Sequence, residues 1–411
     1  MIARLLDRVE SLRDSMVEAL IGIASIEAIG PENGGEGELE KAKYIEGLLR
    51  DMGIPEVERF DARDDRVPSG IRPNLIAKIP GRDDRTLWIV SHMDVVPPGD
   101  LSQWDTDPFK PVVRDGKVYG RGTEDDGQGI VSSLFAAKAI LDEGIEPNLS
   151  LGLAIVSDEE TGNRYGIEHL ISQGLFAEDD LVVVPDAGNP EGTMIEVAEK
   201  GILGLRVAVK GRQTHASTPH RGLNAHRIGM ELALQLDRAL HAVFGEFDPI
   251  FDPPSSTFEP TKREPNVENV NTIPGRDVFY FDCRVLPRYD LNEVIRVARD
   301  VAKAFESAYG AKIDVEPVAK MDAAPPTDPN SEVVRRLREA IRLARGVEAR
   351  PMGIGGGTCA AAFRAAGLQA AVWMTTDETA HQPNEYCRID NLVGDAKVFA
   401  ILPILEVEPE A

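Results

Sequence analysis

The sequence predicts an α/β fold, a mixed sheet sandwiched by helices, with a small α+β unit inserted into it. Three observations carry this expectation. Short β-branched apolar runs alternate with helical spacing in the outer parts of the chain. The middle switches to a strand–helix–strand–helix–strand order. Acids and histidines cluster directly after the apolar runs.

In chain order, Leu5, Val9, Leu12, Met16, Leu20 and Ile23 recur at helical spacing and predict one amphipathic helix. A second helix is expected over residues 38–52, stopped by Gly53. The runs 86–90, 149–156, 181–184 and 370–374 are too short and too β-branched for helices and read as strands. Between the first two lies a helical stretch, 129–141. In the middle, 204–209, 278–285 and 312–317 read as strands, and 225–243 and 291–308 as helices. This is a small, ferredoxin-like α+β unit. The Pro/Asp-rich segments 248–265 and 322–330 read as a long loop and a linker. The expected division is a discontinuous catalytic domain, 1–202 and 322–411, and an inserted domain, 203–321.

Length and composition narrow the function. A chain of 411 residues has room for two compact domains at roughly 150 residues each. Its net charge of −24 repels phosphate backbones and anionic bilayers, so neither nucleic acid nor a membrane is an expected partner. No stretch approaches the roughly 20 apolar residues of a membrane helix, and the charged start lacks a signal-peptide core. Cys283, Cys359 and Cys387 are odd in number and far apart, which fits reduced thiols in a cytoplasmic protein.

The informative feature is where the ligating side chains fall. His92 and Asp94 follow the run 87–91, Asp158-Glu159-Glu160 follow 153–157, and Asp186 follows 181–184. His381 comes shortly after the last run, and Asp125-Asp126 sit in a glycine-flanked turn before a helix. In an open α/β sheet the site lies at the carboxyl ends of the strands. Taken singly, each acid fits a helix cap or a turn, and each histidine a satisfied core position. Together, two imidazoles and at least three carboxylates on one edge suit zinc or a similar divalent ion. Without a cation between them, the like charges would repel strongly.

The ordered motifs Ser91-His92-Met93-Asp94, Gly120-Arg121-Gly122 followed by Asp125, Asp158-Glu159-Glu160, a Gly-Gly-Thr loop and a late His followed by Asn-Glu resemble the dinuclear zinc amidohydrolases. That family includes aminoacylase, acetylornithine deacetylase, succinyl-diaminopimelate desuccinylase, carboxypeptidase G and carnosinase-type dipeptidases. The resemblance implies a zinc-exopeptidase-like catalytic domain and a lid that also dimerises the protein. It implies two divalent ions, zinc or else cobalt or manganese. Asp125 would bridge them, with His92 and Asp186 on one ion and Glu160 and His381 on the other. Asp94 would hydrogen-bond the His92 ring, and Glu159 would act as general base. His215 resembles the lid histidine that stabilises an oxyanion across the dimer. Asn271, Arg284, Gly356, Gly357 and Thr358 resemble the groups that hold a substrate carboxylate. A cis peptide after Asp125 is implied as well.

Two departures bear on substrate. Cys359-Ala360 replaces the Ser-Asp pair that many relatives carry after the glycine run, and Asp186 stands where the deacylase branch often has Glu. The expected reaction is hydrolysis of an amide beside a free carboxylate. Deacylation of an N-acyl amino acid comes first, and a carboxypeptidase or dipeptidase acting on short peptides is the alternative. A relative that binds ligand without catalysis would lack the base or a ligand, and none is missing here. Nucleotide binding needs a glycine-rich turn directly after a strand, and Gly355 to Gly357 reads as a different context. His169, His226 and His241 lie in helical stretches and read as structural, whereas His220 shares the His215 loop.

Overall fold

The computed structural model describes residues 1–407. They form two compact units: residues 1–197, 327–351 and 358–407 in the first, and 198–326 with 352–357 in the second.

The first unit is built on a mixed sheet. Its strands are β1 (Glu56–Arg59), β2 (Leu75–Ile79), β3 (Asp83–His92), β4 (Leu149–Val156), β5 (Leu181–Gly188), β6 (Met194–Glu199), β7 (Arg350–Ile354) and β8 (Gln369–Met374). Across the sheet they run β1-β2-β4-β3-β5-β8-β6-β7. The central four, β4, β3, β5 and β8, are mutually parallel, while β1, β2 and β6 pair antiparallel. This explains the near-continuous apolar runs: β4 is buried along its whole length because helices cover both faces. One face packs Trp88, Val90, Val156, Val182 and Phe363, with Phe176 edge-on between Trp88 and Phe363. The other carries the apolar helices Gly129–Asp142 and Ile389–Ile401, which pack on each other. Arg364 and Glu196 form a fully buried ion pair in this unit.

The second unit is a four-stranded antiparallel sheet in the order 257–263, 276–285, 201–210, 312–321. Helices Ala225–Val243 and Leu291–Tyr309 supply its core through residues such as Ile228, Leu232, Val294 and Ala298. Asn224 and Asp290 cap them by accepting the N–H of Arg227 and Asn292.

Three expectations are corrected. The N-terminal helix is two helices, Ile2–Ser11 and Arg13–Ala24, broken at Leu12; a one-residue break leaves the apolar spacing unchanged. The long loop 248–265 contains the edge strand Thr257–Arg263. Pro260 and its mostly exposed side chains hid it, both being features of an unpaired sheet edge. The glycine run 355–357 does follow a strand directly, because Arg350–Ile354 is too polar and broken by Pro351 to read as one.

Tight packing of β3 on β4 gives a test. Gly152 lies opposite Trp88, and a Cβ there would fall on the six-membered ring of Trp88. The indole cannot swing aside, because its N–H donates to Asp180 at 2.8 Å. Gly152→Ala is therefore expected to destabilise the protein by about 1–3 kcal/mol. A lowered denaturation midpoint at unchanged slope reports this, and an unchanged midpoint refutes it.

Candidate metal centre

The four parallel strands all end on one edge, which gathers the side chains that the sequence scatters. His92 is the last residue of β3 and lies opposite Val156, the last of β4, after which the chain turns through Asp158, Glu159 and Glu160. Asp186 lies near the end of β5, and His381 follows β8. Asp125 sits in the turn Thr123–Gln128, entered through Gly122 at φ 76°, and the Asp125–Asp126 peptide is cis.

Asp125 faces both imidazoles, one carboxylate oxygen to each. Its Oδ1 lies 2.9 Å from Nε2 of His92, and its Oδ2 lies 3.1 Å from Nε2 of His381. Glu160 Oε1 is 3.1 Å from the same His381 nitrogen, and Asp186 Oδ1 is 3.6 Å from His92 Nε2. Two triads, His92/Asp125/Glu160 and His92/Glu159/Asp186, each bring their ligand atoms within 4.8 Å of one another. His92 and Asp94 are buried, whereas His381 is half exposed.

Whether these residues fit a cation is decided by two atoms. His92 Nε2 and Asp125 Oδ1 are buried and close, yet neither has a hydrogen-bond partner of acceptable angle. Leaving such atoms unpaired is costly. His92 Nδ1 lies 3.1 Å from the Asp94 carbonyl oxygen, which can only accept. In the neutral ring Nδ1 therefore carries the proton, and Nε2 keeps its lone pair for a ligand. The donor set of imidazole and carboxylate suits a divalent ion.

Asp94 differs from expectation. Its carboxylate lies 3.6 Å from His92 Nδ1, too far for the expected hydrogen bond. It accepts the backbone N–H groups of Glu159 and Glu160 instead, each at 3.0 Å. Asp94 thus orients His92 through its carbonyl and the Glu159-Glu160 turn through its carboxylate.

The electrostatics follow from this crowding. Burial, then the negative charge of Asp186, pushes the Glu159 carboxyl well above its usual range. The Glu159 carboxylate makes no hydrogen bond among the described residues, while its neighbour Glu160 meets His381. Hydrogen bonds from its ring to the Asp125 and Glu160 carboxylates, which accept, hold His381 protonated up to about 10. Burial works against a charge on His92, but Asp125, Asp186 and Asp94 overcome it and raise its pKa well above the usual value.

The remaining sequence candidates lie mostly in the second unit. His215 pairs with Thr272 in a two-stranded ladder, which puts it beside Asn271, and its Nδ1 is 2.7 Å from the Ser217 hydroxyl. Arg284 donates to the Gly355 carbonyl at 3.0 Å and to Asp282, so the structure sets it against the glycine run that includes Gly356 and Gly357. Thr358 belongs to the first unit, where its hydroxyl accepts the Ala360 N–H. His226 pairs with Asp277, and His241 with the Asp237 carbonyl. Sequence reasoning missed Glu124 and Glu385, two buried carboxylates wound into the Asp125 and His381 loops. The Asn-Glu pair after His381 was the available signal for Glu385. Glu124 had none beyond its place beside Asp125.

Comparison with known proteins bears on this geometry. Residues 88–403 match the model of peptidase family M20/M25/M40. An uncharacterized metallohydrolase of Methanocaldococcus jannaschii is 43% identical over 390 residues, 91% of this chain and 95% of that one. A succinyl-diaminopimelate desuccinylase of Sulfurovum sp. is 27% identical, covering 94% of this chain and 97% of its own. Among solved structures, a tripeptidase from Staphylococcus aureus shares the fold with a TM-score of 0.74 at 20% identity, covering 95% of this chain and 98% of that one. A family match over most of the chain and a near-full-length relative at that identity leave one conclusion: the chain belongs to peptidase family M20/M25/M40 and is a metal-dependent hydrolase.

Proposed function

We propose that the protein is a two-metal amidohydrolase that removes the acyl group from an N-acyl amino acid, as a desuccinylase or acetylornithine deacetylase does. The observation that carries this reading is Asp125 offering one oxygen to each of two imidazoles. Such a carboxylate is placed to bridge two cations. His92 and Asp186 would then hold one, and Glu160 and His381 the other.

Bound divalent ions would supply Lewis acidity to the scissile carbonyl and make the attacking water more acidic. Glu159, unbonded and beside Glu160, takes the water's proton as oxygen attacks the carbonyl carbon. It then passes that proton to the amine as the C–N bond breaks. His92, its tautomer fixed by the Asp94 carbonyl, and the Glu159-Glu160 turn, fixed by the Asp94 carboxylate, are held for this task. Arg284, Asn271, Gly356 and Gly357 of the second unit and Thr358 of the first would bind the substrate carboxylate, and His215 would steady the charged oxygen. The desuccinylase among the relatives supports the deacylase reading. Asp186, which stands where deacylases often carry Glu, favours a second one: a carboxypeptidase or dipeptidase.

We further propose a homodimer formed through the second unit, a lid in this reading. It exposes Leu234 (59%), Val318 (56%) and Met321 (56%), the last two on strand 312–321 at a sheet edge. Exposed apolar groups at an open edge are features a partner copy would cover.

Four outcomes test these readings. Metal-replete enzyme should contain two divalent ions per chain, zinc, cobalt or manganese. Glu159→Gln should keep both while turnover falls at least roughly 100-fold. If this variant loses metal, Glu159 is a ligand rather than the base, as its place in the second triad also permits. In a hydrolysis screen with each metal added back, acetyl- and succinyl-amino acids should be cleaved faster than dipeptides; the reverse order moves the assignment to the second reading. Finally, inactive Glu159→Gln and His215→Ala chains should regain about half of wild-type activity per mixed dimer when co-assembled. Persistent inactivity in proven mixed dimers would place His215 in its own chain's site, and a monomer would remove the shared-site scheme.

A further inference from the structure

The loop that carries Asp125 and the loop that carries His381 each send a buried glutamate into the backbone of the other. Glu124, beside Asp125, accepts the N–H of Asp377 at 2.7 Å on one oxygen. On its other oxygen it accepts the N–H groups of Thr379 (2.5 Å) and Ala380 (3.1 Å) and the Thr379 hydroxyl (2.8 Å). Glu385, four residues after His381, returns the contact. One of its oxygens accepts the N–H groups of Glu124 and Asp125, each at 3.0 Å; the other accepts Gly122 N–H at 3.0 Å and Arg121 at 2.5 Å. Both side chains are essentially inaccessible to water, at 2% and 0% exposed.

We propose that Glu124 and Glu385 are reciprocal positioning residues, a two-carboxylate clasp that fixes Asp125 and His381 at the separation a shared cation requires.

Three features support this. Each carboxylate is acceptor-only when ionised and meets four donors, so each is fully satisfied by the opposite loop. Six of the eight contacts run to backbone N–H groups, so they set main-chain position more than a rotamer. The loops are otherwise far apart in sequence, and His381 is half exposed at φ 62°; the clasp anchors the Asp377–Ala380 segment just before it. Groups that orient ligands in this way typically change metal affinity 10- to 100-fold when altered.

The proposal rests on Asp125 and His381 being ligands, and the test separates the two ideas. Metal-free protein is titrated with Co(II), following the visible absorption of each site, for wild type, Glu385→Gln, Glu124→Gln and the control Glu196→Gln. Glu385→Gln turns an NH2 group toward N–H donors whichever way it faces and strands two of the four. It should weaken one of the two cobalt ions about 10- to 100-fold and alter its absorption band, while the other ion changes less. Glu124→Gln can keep three of its four donors and should have a smaller effect in the same direction. Glu196→Gln disturbs an equally buried carboxylate, paired with Arg364; it should lower the melting temperature but leave both cobalt affinities alone. Unchanged affinities and spectra in folded Glu385→Gln overturn the clasp. Equal losses in the control overturn it too, since the effect is then global. If Glu385→Gln does not fold, the milder Glu124→Gln decides by the same criterion. A wild type that binds fewer than two cobalt ions refutes the two-metal reading instead.

Discussion

Like charge sets the terms for this structure. The edge formed by the parallel strands gathers Asp94, Asp125, Asp126, Glu159, Glu160 and Asp186 into a largely buried space, where mutual repulsion is poorly screened. The fold answers with backbone dipoles more than with cationic side chains. Asp94 accepts from Glu159 and Glu160, and Asp126 from the N–H groups of His92 and Gly129 at 3.1 Å each. Each loop is thus tied by a carboxylate to the backbone of the next. A cation placed among the remaining oxygens completes a balance that the protein alone leaves open.

That logic explains which parts of the site could be read from sequence. Strand ends were legible because the parallel strands are buried on both faces and so appear as mostly apolar runs, with the candidate ligands within a few residues after them. The edge strands were not. Thr257–Arg263 buries little more than Phe258, and Arg350–Ile354 is interrupted by Pro351, so neither carries a periodic signal. Helices such as Glu332–Arg345 passed unremarked among the charges on their outer face, although Val334, Leu337 and Ile341 are buried.

Inside the site, residue type was legible and contact was not. Asp94 stood out by its spacing from His92, but spacing cannot say whether the carboxylate or the carbonyl meets the ring. The structure assigns the ring to the carbonyl and the carboxylate to the next turn. Glu124 and Glu385 show the same limit more sharply. Most of their partners are main-chain N–H groups more than two hundred and fifty residues away, and backbone donors leave no mark in a sequence. Arg284 stood out by resemblance alone. Its hold on Gly355, through a backbone carbonyl, was not.

The same charge accounting bears on how a protein of net charge −24 would receive the anionic substrate proposed for it. Long-range attraction does not help, since a carboxylate is repelled by the overall field. Recognition has to come from the site itself. In the proposed centre, two divalent ions would meet four nearby carboxylates, Asp125, Glu160, Asp186 and an ionised Glu159, and cancel them. Asp94 keeps its own charge against the N–H groups of Glu159 and Glu160. In the proposed scheme, a Glu159 that took the water's proton would lose its negative charge as negative charge grew on the scissile oxygen, so the protein around that oxygen would repel it less. An amide at that position would cancel no charge at rest and take up no proton during attack. As the proposed base, Glu159 would thus act through its charge as well as through its place beside Glu160.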